Sequence, residues 1–154
     1  VMGFDSKFHR AFYKAQLGAG TELPISGKVF LSIKAEDKGP MLLEAASCLL
    51  EMGFTLIATR GTAAFLADAG ISSSIVNKVY EGRPNIVDQI KDGDIALILN
   101  TTAGAQAVED SRSMRASALM DGIPYYTTLA ASHAAAFAIK AHAEGDVGVK
   151  SLQE

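Results

Sequence analysis

The chain has 154 residues, of which 49% are apolar and 20% charged, and its net charge is −3. This length and balance fit one globular domain with a proper core and give no reason to expect nucleic-acid or anionic-membrane partners. The apolar stretch over residues 129–139 is interrupted by Ser132 and His133, and it falls short of the roughly 20 residues that span a bilayer.

Two further features limit the class of protein. The single cysteine, Cys48, lies in a helical apolar pattern, which predicts a buried, inert thiol and excludes a disulfide within the chain. The first residues, with Val1 before Met2, have no basic stretch ahead of an apolar core and therefore do not form a signal peptide. They indicate a segment cut from a longer chain.

The amino-terminal part predicts one helix and a linker. Phe8, Ala11, Phe12 and Ala15 recur at helical spacing over residues 6–17, whereas residues 18–27 are rich in Gly, Thr and Ser and contain Pro24. We therefore expect this helix to be an appendage or the end of a preceding region. The predicted domain organisation is a lead-in over residues 1–27 and a folded domain over residues 28–154.

The rest of the chain alternates between strands and helices. Five short segments predict strands, at residues 28–33, 54–58, 75–79, 94–99 and 124–127, and the clearest buried one is 94–99. Helices are predicted between and after them, at residues 40–50, 63–69, 86–92, 108–121 and 129–143. Asp37 and Asn85 are expected to act as N-caps. This alternation predicts an α/β fold: a three-layer sandwich with a five-stranded parallel sheet and right-handed crossovers.

Three polar turns follow predicted strands, at residues 35–38, 59–62 and 100–104. Because the carboxyl ends of parallel strands and the amino ends of the following helices face one crevice, these turns are expected to converge there. Free amides at a helix start favour an anion, so the pattern predicts a pocket for a phosphate-bearing ligand. The alternative is that these side chains are ordinary helix caps. The candidates are Lys38, Thr59, Gly61, Thr62, Lys78, Asn100, Thr101 and Thr102.

A second set of charged residues could serve an enzyme. Glu81, Arg83, Asp88 and Asp92 follow the third predicted strand, and a carboxylate near the phosphate turns could act as a general base. The alternatives are that Asp88 and Asp92 form a solvated helix face and that Arg83 anchors a loop through its forked donors.

The histidines predict no site. His9, His133 and His142 fall on helices away from the three turns. The sequence contains no Cys/His constellation with metal-ligand spacing.

Three stretches carry a resemblance to a known family: the Thr-Arg-Gly-Thr turn at 59–62, the Asn-Lys-Val-Tyr-Glu-Gly-Arg-Pro run at 77–84, and Asn-Thr-Thr at 100–102 with Glu-Asp-Ser-Arg at 109–112. Together they resemble the C-terminal allosteric domain of the carbamoyl-phosphate synthase large chain, which has the methylglyoxal-synthase-like fold. The likeness covers nearly the whole chain. Residues 8–17 resemble the end of the synthetase region that precedes that domain.

The resemblance implies a regulatory function without a catalytic centre in the domain. Such domains bind UMP, which inhibits, or IMP at an overlapping site, while ornithine activates at the boundary with the synthetase body. By position, Lys38, Thr59 and Thr62 with the Gly61 turn would hold the phosphate. Lys78, Asn100 and Thr102 match further nucleotide contacts, with Ser32 and Thr101 as neighbours. Tyr125 and Thr127 match positions that contribute to the ornithine site.

The resemblance also implies a setting for the domain. The parent enzyme is a cytoplasmic ligase that uses ATP with Mg or Mn, works with a small glutaminase subunit, and supplies pyrimidine and arginine biosynthesis. The domain itself would need no cofactor or metal and would contact neither nucleic acid nor membrane.

The chain departs from the family pattern in two places. Ala105 and Gln106 stand where enteric-type members have two arginines, and Tyr126 replaces an acidic residue. The loss of positive charge is expected to weaken binding of a dianionic phosphate unless Arg60 compensates.

Three rival interpretations remain. Methylglyoxal synthase, a lyase acting on dihydroxyacetone phosphate, resembles the chain in the phosphate turns but needs two aspartates and a histidine. Residues 82–84 and 100–102 carry none of these at the corresponding positions. The second rival is the cyclohydrolase domain of a bifunctional purine enzyme, and the third is a pure interaction module.

Overall fold

A parallel five-stranded sheet forms the centre of the molecule. The structure is a computed structural model that describes residues 1–153. The strands lie in the order β3-β2-β1-β4-β5 and all neighbouring pairs are parallel. The predicted α/β sandwich is confirmed. The strands are β1 (Lys28–Ser32), β2 (Thr55–Ala58), β3 (Ser74–Ile75), β4 (Ile95–Asn100) and β5 (Tyr125–Tyr126).

The central strand β1 is apolar on both faces because helices cover the sheet on both sides. Val29 pairs with Leu56 of β2 and Leu97 of β4, and all three side chains are buried. Phe30, the next residue, points to the opposite face and joins a second core with Ile86 and Met114. The sheet therefore separates two hydrophobic cores.

Within residues 1–153, seven α-helices form the outer layers. Helices α1, α2, α3 and α7 contribute to the core that contains Val29, and α4 and α6 contribute to the core that contains Phe30. The helices are α1 (Phe8–Gly18), α2 (Pro40–Glu51), α3 (Arg60–Asp68), α4 (Ile86–Lys91), α5 (Gly104–Asp110), α6 (Arg112–Met120) and α7 (Leu129–Ala143).

Several predicted boundaries are wrong. The single helix expected over residues 108–121 is two helices, α5 and α6, which meet at Ser111. The third strand is shorter than predicted, since only Ser74–Ile75 pairs with β2 and Asn77 instead forms a bridge with Asn85. The fifth strand shortens to Tyr125–Tyr126.

The helix starts also differ from expectation at two places. Gly39, not Asp37, is the N-cap of α2, and Pro40 occupies the first turn, where no amide hydrogen is needed. Helix α3 begins at Arg60, three residues before the predicted start. The cap at Asn85 is confirmed, because its side-chain oxygen accepts a hydrogen bond from Val87 N–H at 2.9 Å.

Helix α1 packs on the domain and does not stand apart from it. It lies against α7, and Tyr13 is buried in the core with its ring stacked on His142 at 4.3 Å between centroids. The hydroxyl of Tyr126 on the edge strand donates to Gln16 Oε1 at 2.8 Å. Residues 1–27 thus share the core of the domain, while their origin in a preceding synthetase region stays a prediction.

The thiol of Cys48 is buried, as the sequence predicts. Cys48 is free and buried, with its Sγ 3.6 Å from the Ala136 carbonyl oxygen, and burial raises the pKa of its thiol. Within residues 1–153, no helix combines the length and the apolar character needed to cross a membrane.

The Tyr126 hydroxyl predicts a sensitivity to alkaline pH. Burial raises the pKa of Tyr126 to about 12, so the folded state keeps a proton that the unfolded chain releases near pH 10. The protonated hydroxyl stabilises the folded state fully below pH 10. This stabilisation is lost as the pH rises through 12, which lowers the free energy of unfolding by up to about 3 kcal/mol. Urea unfolding at several pH values between 9 and 12 should show that the free energy of unfolding of the natural chain falls steeply with pH. Tyr126→Phe should be less stable at pH 7, but its free energy of unfolding should fall less steeply with pH. Equal slopes for the two chains would contradict the assignment of the alkaline loss to the Tyr126 hydroxyl.

Candidate functional site

The three polar turns meet at the carboxyl edge of the sheet, as predicted, and enclose a cavity of about 420 Å³. All nine residues that the sequence and the resemblance picked out for nucleotide or phosphate binding line this cavity. They are Ser32, Lys38, Thr59, Gly61, Thr62, Lys78, Asn100, Thr101 and Thr102.

The start of α3 supplies backbone donors to the cavity. Thr59 is the N-cap residue, and its side chain does not cap the helix. The first backbone bond into the helix runs from Ala63 N–H to the Thr59 carbonyl. The amides of the first turn, from Arg60 to Thr62, precede that bond, and such groups together with the positive end of the helix dipole favour an anion.

A lysine ammonium lies beside the same turn. Lys38 Nζ donates to the Gly61 carbonyl at 3.0 Å, so its charge lies over the start of α3. A Cβ added at Gly61 would come within 3.3 Å of this Nζ. Glycine at this position therefore gives the ammonium its close approach.

The threonine hydroxyls hold the end of β1 as well as lining the cavity. Thr62 Oγ1 accepts from Ile33 N–H at 3.0 Å, and Thr101 Oγ1 accepts from Lys34 N–H at 3.0 Å. A hydroxyl carries one proton and two acceptor positions, so Thr101 can accept from the backbone and still donate to a ligand oxygen. Thr62 Oγ1 also accepts from Thr59 Oγ1 at 3.3 Å and donates to the Ile33 carbonyl at 3.5 Å, so donation to a ligand would replace that long bond. The sequence predicted the donors and missed their structural bonds.

Asn100 lines the cavity and is held by two hydroxyl oxygens. Its Nδ2 donates to Ser111 Oγ at 3.0 Å and to the Tyr125 hydroxyl at 2.5 Å. Ser111 is buried at the junction of α5 and α6 and also donates to the Ala107 carbonyl at 2.8 Å. The break between these two helices therefore positions a serine behind Asn100.

The family model of the MGS-like domain matches residues 41–127, which is more than half of the chain and includes most of the cavity. The chain belongs to the MGS-like domain family.

Named relatives extend the match to the whole chain. The carbamoyl phosphate synthase large chain of Myxococcus xanthus is 49% identical over 154 residues, covering 100% of this chain and 14% of the relative. That of Rhizobium meliloti is 47% identical over 153 residues, covering 99% and 13%. That of Pasteurella multocida is 49% identical over 155 residues, covering 100% and 14%. This MGS-like domain thus spans about a seventh of the length of the curated relatives it matches.

Part of the cavity of this MGS-like domain is apolar, and sequence reasoning missed it. Its apolar lining includes Phe30, Ile86 and Met114 of the second core, and Val79, which packs against that core. Their apolar character predicts burial but does not say that one side faces a cavity. The exposed ring of Tyr80 adds an aromatic surface at the opening.

The charges around the cavity are mostly positive. Lys34, Lys38 and Lys78 line it together with the single carboxylate of Asp110. Gln106, one of the departures from the family pattern, donates to Asp110 Oδ1 at 2.9 Å. The site is therefore suited to an anion, and the acidic residue lies on the α5 side of the cavity.

The second candidate set does not join the cavity of the MGS-like domain. Arg83 forms a two-point ion pair with Asp88, which confirms that it anchors its loop. That guanidinium, with the bond from Asn85 N–H at 2.8 Å, holds the pKa of Asp88 below its usual range. Glu81 accepts from Lys78 N–H at 2.7 Å, and Asp92 is exposed at the end of α4.

The remaining predicted residues lie outside the cavity or at its edge. Tyr125 is half-buried and touches the site through Asn100, whereas Thr127 is exposed and does not line the cavity. The three histidines lie elsewhere. In the part of the chain that the structure describes, no group of three or more His, Cys, Asp or Glu side chains could hold a metal ion.

Proposed function

We propose that this MGS-like domain is the effector-binding domain of a glutamine-dependent carbamoyl phosphate synthase large chain. Its cavity binds a nucleoside monophosphate, UMP or IMP, and that binding regulates carbamoyl phosphate formation by the rest of the chain. The observation that carries the proposal is the convergence of the α3 start, Lys38 and the threonine hydroxyls on one cavity whose lining also includes apolar side chains.

Each part of a nucleoside monophosphate has a complementary surface. The phosphate fits the amides from Arg60 to Thr62 and the ammonium of Lys38, while the base fits the apolar lining near Phe30 and Met114. A volume of about 420 Å³ falls within the range of roughly 300–1,000 Å³ that small-molecule pockets occupy. Such a site would bind the phosphate ester much better than the free nucleoside.

Regulation requires that the effector bind two states of the whole enzyme with different affinities. Tyr125 and Thr127, on and beside the edge strand, contribute to an ornithine site whose other ligands come from the synthetase body. The parent chain uses ATP with Mg or Mn, pairs with a small glutaminase subunit in the cytoplasm, and serves pyrimidine and arginine biosynthesis. The identities of the relatives as carbamoyl phosphate synthase large chains support this setting.

The lyase alternative lacks support in the cavity. Among the lining residues the one carboxylate is Asp110, and none of them is a histidine, so the two aspartates and the histidine that the lyase needs are not assembled here. We expect no turnover of dihydroxyacetone phosphate by this chain. Robust release of phosphate from it would overturn the regulatory proposal.

The proposal is tested by calorimetric titration with UMP, IMP and uridine. UMP or IMP should bind and uridine should not. Lys38→Met should weaken nucleotide binding by about 10- to 100-fold, as expected for losing a charge-assisted hydrogen bond. Lys28→Met is the matched control, because Lys28 lies at the other end of β1 and only approaches Asp94 at 3.7 Å. Equal losses in the two variants, or no binding of either nucleotide, would contradict the phosphate pocket.

A further inference from the structure

The three histidines of the chain all lie where α1 packs against α7, a contact that we call the α1–α7 interface. His9 of α1 lies 6.3 Å from His133 of α7, measured between ring centroids. Farther along α7, the ring of His142 stacks on Tyr13 of α1 at 4.3 Å. None of these histidines lines the cavity, so nucleotide binding does not explain their placement.

His9 and His133 share an aromatic partner, Phe137. The centroid of the Phe137 ring lies 5.3 Å from that of His9 and 4.6 Å from that of His133. Both imidazoles are half-buried, so water surrounds neither of them completely. Their neutral rings can pack together in this space, whereas protonation of both would place two positive charges about 6 Å apart.

Of these two histidines, His133 is the one with a carboxylate beside it. Glu44 Oε2 of α2 lies 3.0 Å from His133 Nε2, and α2 also packs against α7. A protonated His133 therefore keeps its counter-ion whether or not α1 is in place. The ion pairs found among residues 1–153 include none with His9, so a charge on His9 would meet the charge of His133 without a counter-ion of its own.

The other charged groups near this part of the interface do not offset that repulsion. Lys140 of α7, with its ammonium 6.0 Å from the centroid of the Phe137 ring, adds positive charge. Asp5, just before α1, is bound by Lys14 at 2.8 Å and by Arg10 at 3.4 Å. The charged and titratable groups that face His9 or flank it are thus His133 and Lys140 from α7, Glu44 from α2, and Asp5, Lys7, Arg10, Tyr13 and Lys14 from α1 and the residues before it.

We propose that the α1–α7 interface is an acid-sensitive contact, in which protonation of His9 beside His133 releases α1 from α7 while the sheet stays folded. Burial and the charge of His133 lower the pKa of His9 below its usual value of 6.5. The neutral His9 therefore stabilises the closed interface fully above pH 6.5, and this stabilisation is lost as the pH falls below that value. The proposal does not depend on nucleotide binding, because these residues lie outside the cavity.

Hydrogen exchange of the backbone amides in the full chain tests the proposal at about pH 7.5 and about pH 5.5. The readout is the protection factor, from which the intrinsic effect of pH on exchange has been divided out. Protection of the α1 amides should fall by about threefold or more at the lower pH, as expected for two unit charges 6.3 Å apart in water-like surroundings. Protection in β1 and β4 should stay within about twofold. Equal losses in α1 and in the sheet would mean that the whole domain is destabilised, which would overturn the proposal.

Substitutions identify the histidine that is responsible. His9→Phe keeps an aromatic ring beside Phe137 and cannot be protonated, so the protection of α1 should then differ by less than about twofold between the two pH values. His142→Phe is the matched control, because that ring contacts Tyr13 and not His9, and it should keep the acid response of the natural chain. If His9→Phe keeps the response, or His142→Phe abolishes it, the assignment to His9 is wrong and the proposal is overturned.

Two further measurements test the repulsion itself. His133→Phe removes the neighbouring charge, so the pKa of His9, followed by NMR through its ring C–H protons, should rise toward its usual value. In the natural chain near pH 5.5, about 1 M salt shortens the Debye length to about 3 Å and should restore part of the protection of α1. This salt experiment needs no substitution, so it decides the matter even if a variant does not fold. An unchanged pKa of His9 in His133→Phe, or equal protection of α1 at low and high salt, would overturn the proposal.

Discussion

A chain that lacks residues 1–27 is expected to unfold about 6–20 °C below the full chain. The loss of stability is about 3–5 kcal/mol, and each kcal/mol lowers the midpoint by about 2–4 °C. The truncation removes Tyr13 and Leu23, each of which is 6% exposed. Burying a large apolar side chain is worth about 1.5–3 kcal/mol. The truncation also uncovers the face of α7 against which α1 packs. It removes Gln16, which accepts a hydrogen bond from the Tyr126 hydroxyl.

Calorimetry of the full chain and of residues 28–154 checks this result. The matched control removes residues 148–154, because the described residues among them, 148–153, are exposed and their loss should leave the midpoint within about 2 °C. An unchanged midpoint after removal of residues 1–27 would mean that α1 is an appendage after all. The folding unit would then begin at residue 28, as the sequence indicates.

The sequence predicted the architecture because burial leaves a clear pattern of apolar residues. A strand that is buried on both faces is apolar throughout, and a helix that is buried on one face is apolar along that face. Residues 95–99 carry an unbroken apolar run, and β4 lies in the sheet beside the central strand. The helix break at Ser111 could not be predicted in the same way, since it depends on the bonds of Ser111 to Ala107 and Asn100. The packing of α1 was missed because a Gly-rich linker looks the same whether or not the helix before it folds back.

The candidate site was predictable where polar residues follow strands. Every position chosen at the three turns lines the cavity, because parallel strands bring their carboxyl ends to one edge. The apolar part was not predictable, since Phe30 and Met114 follow the core pattern of their elements and only the fold shows that they border a cavity. The orientation of Asn100 depends on partners 11 and 25 residues away, and no local pattern carries that information.

The second large effect is expected for Thr62→Val, which should lower the free energy of unfolding by about 1–3 kcal/mol because Ile33 N–H loses its acceptor. Thr62 is 1% exposed, so water does not replace the hydroxyl, and valine keeps the branched shape. Nucleotide binding should weaken by about 100-fold if the hydroxyl donates to the phosphate and also keeps the end of β1 in register with the start of α3. Chemical unfolding and calorimetric titration of the same variant measure the two effects.

Two companion substitutions separate support of the fold from contact with the ligand. Thr62→Ser keeps the hydroxyl and loses a methyl group, so it should bind UMP nearly as well as the natural chain while losing about 1 kcal/mol of stability. Thr55→Val is the matched control, because Thr55 is exposed at the opposite end of the sheet. Suppose that Thr62→Val binds UMP normally but is less stable. The hydroxyl would then serve only Ile33, and the phosphate would be held by the α3 amides and Lys38 alone. If Thr62→Ser loses binding as fully as Thr62→Val, the methyl group of Thr62 and not its hydroxyl shapes the pocket, and the donor role assigned to this residue is wrong.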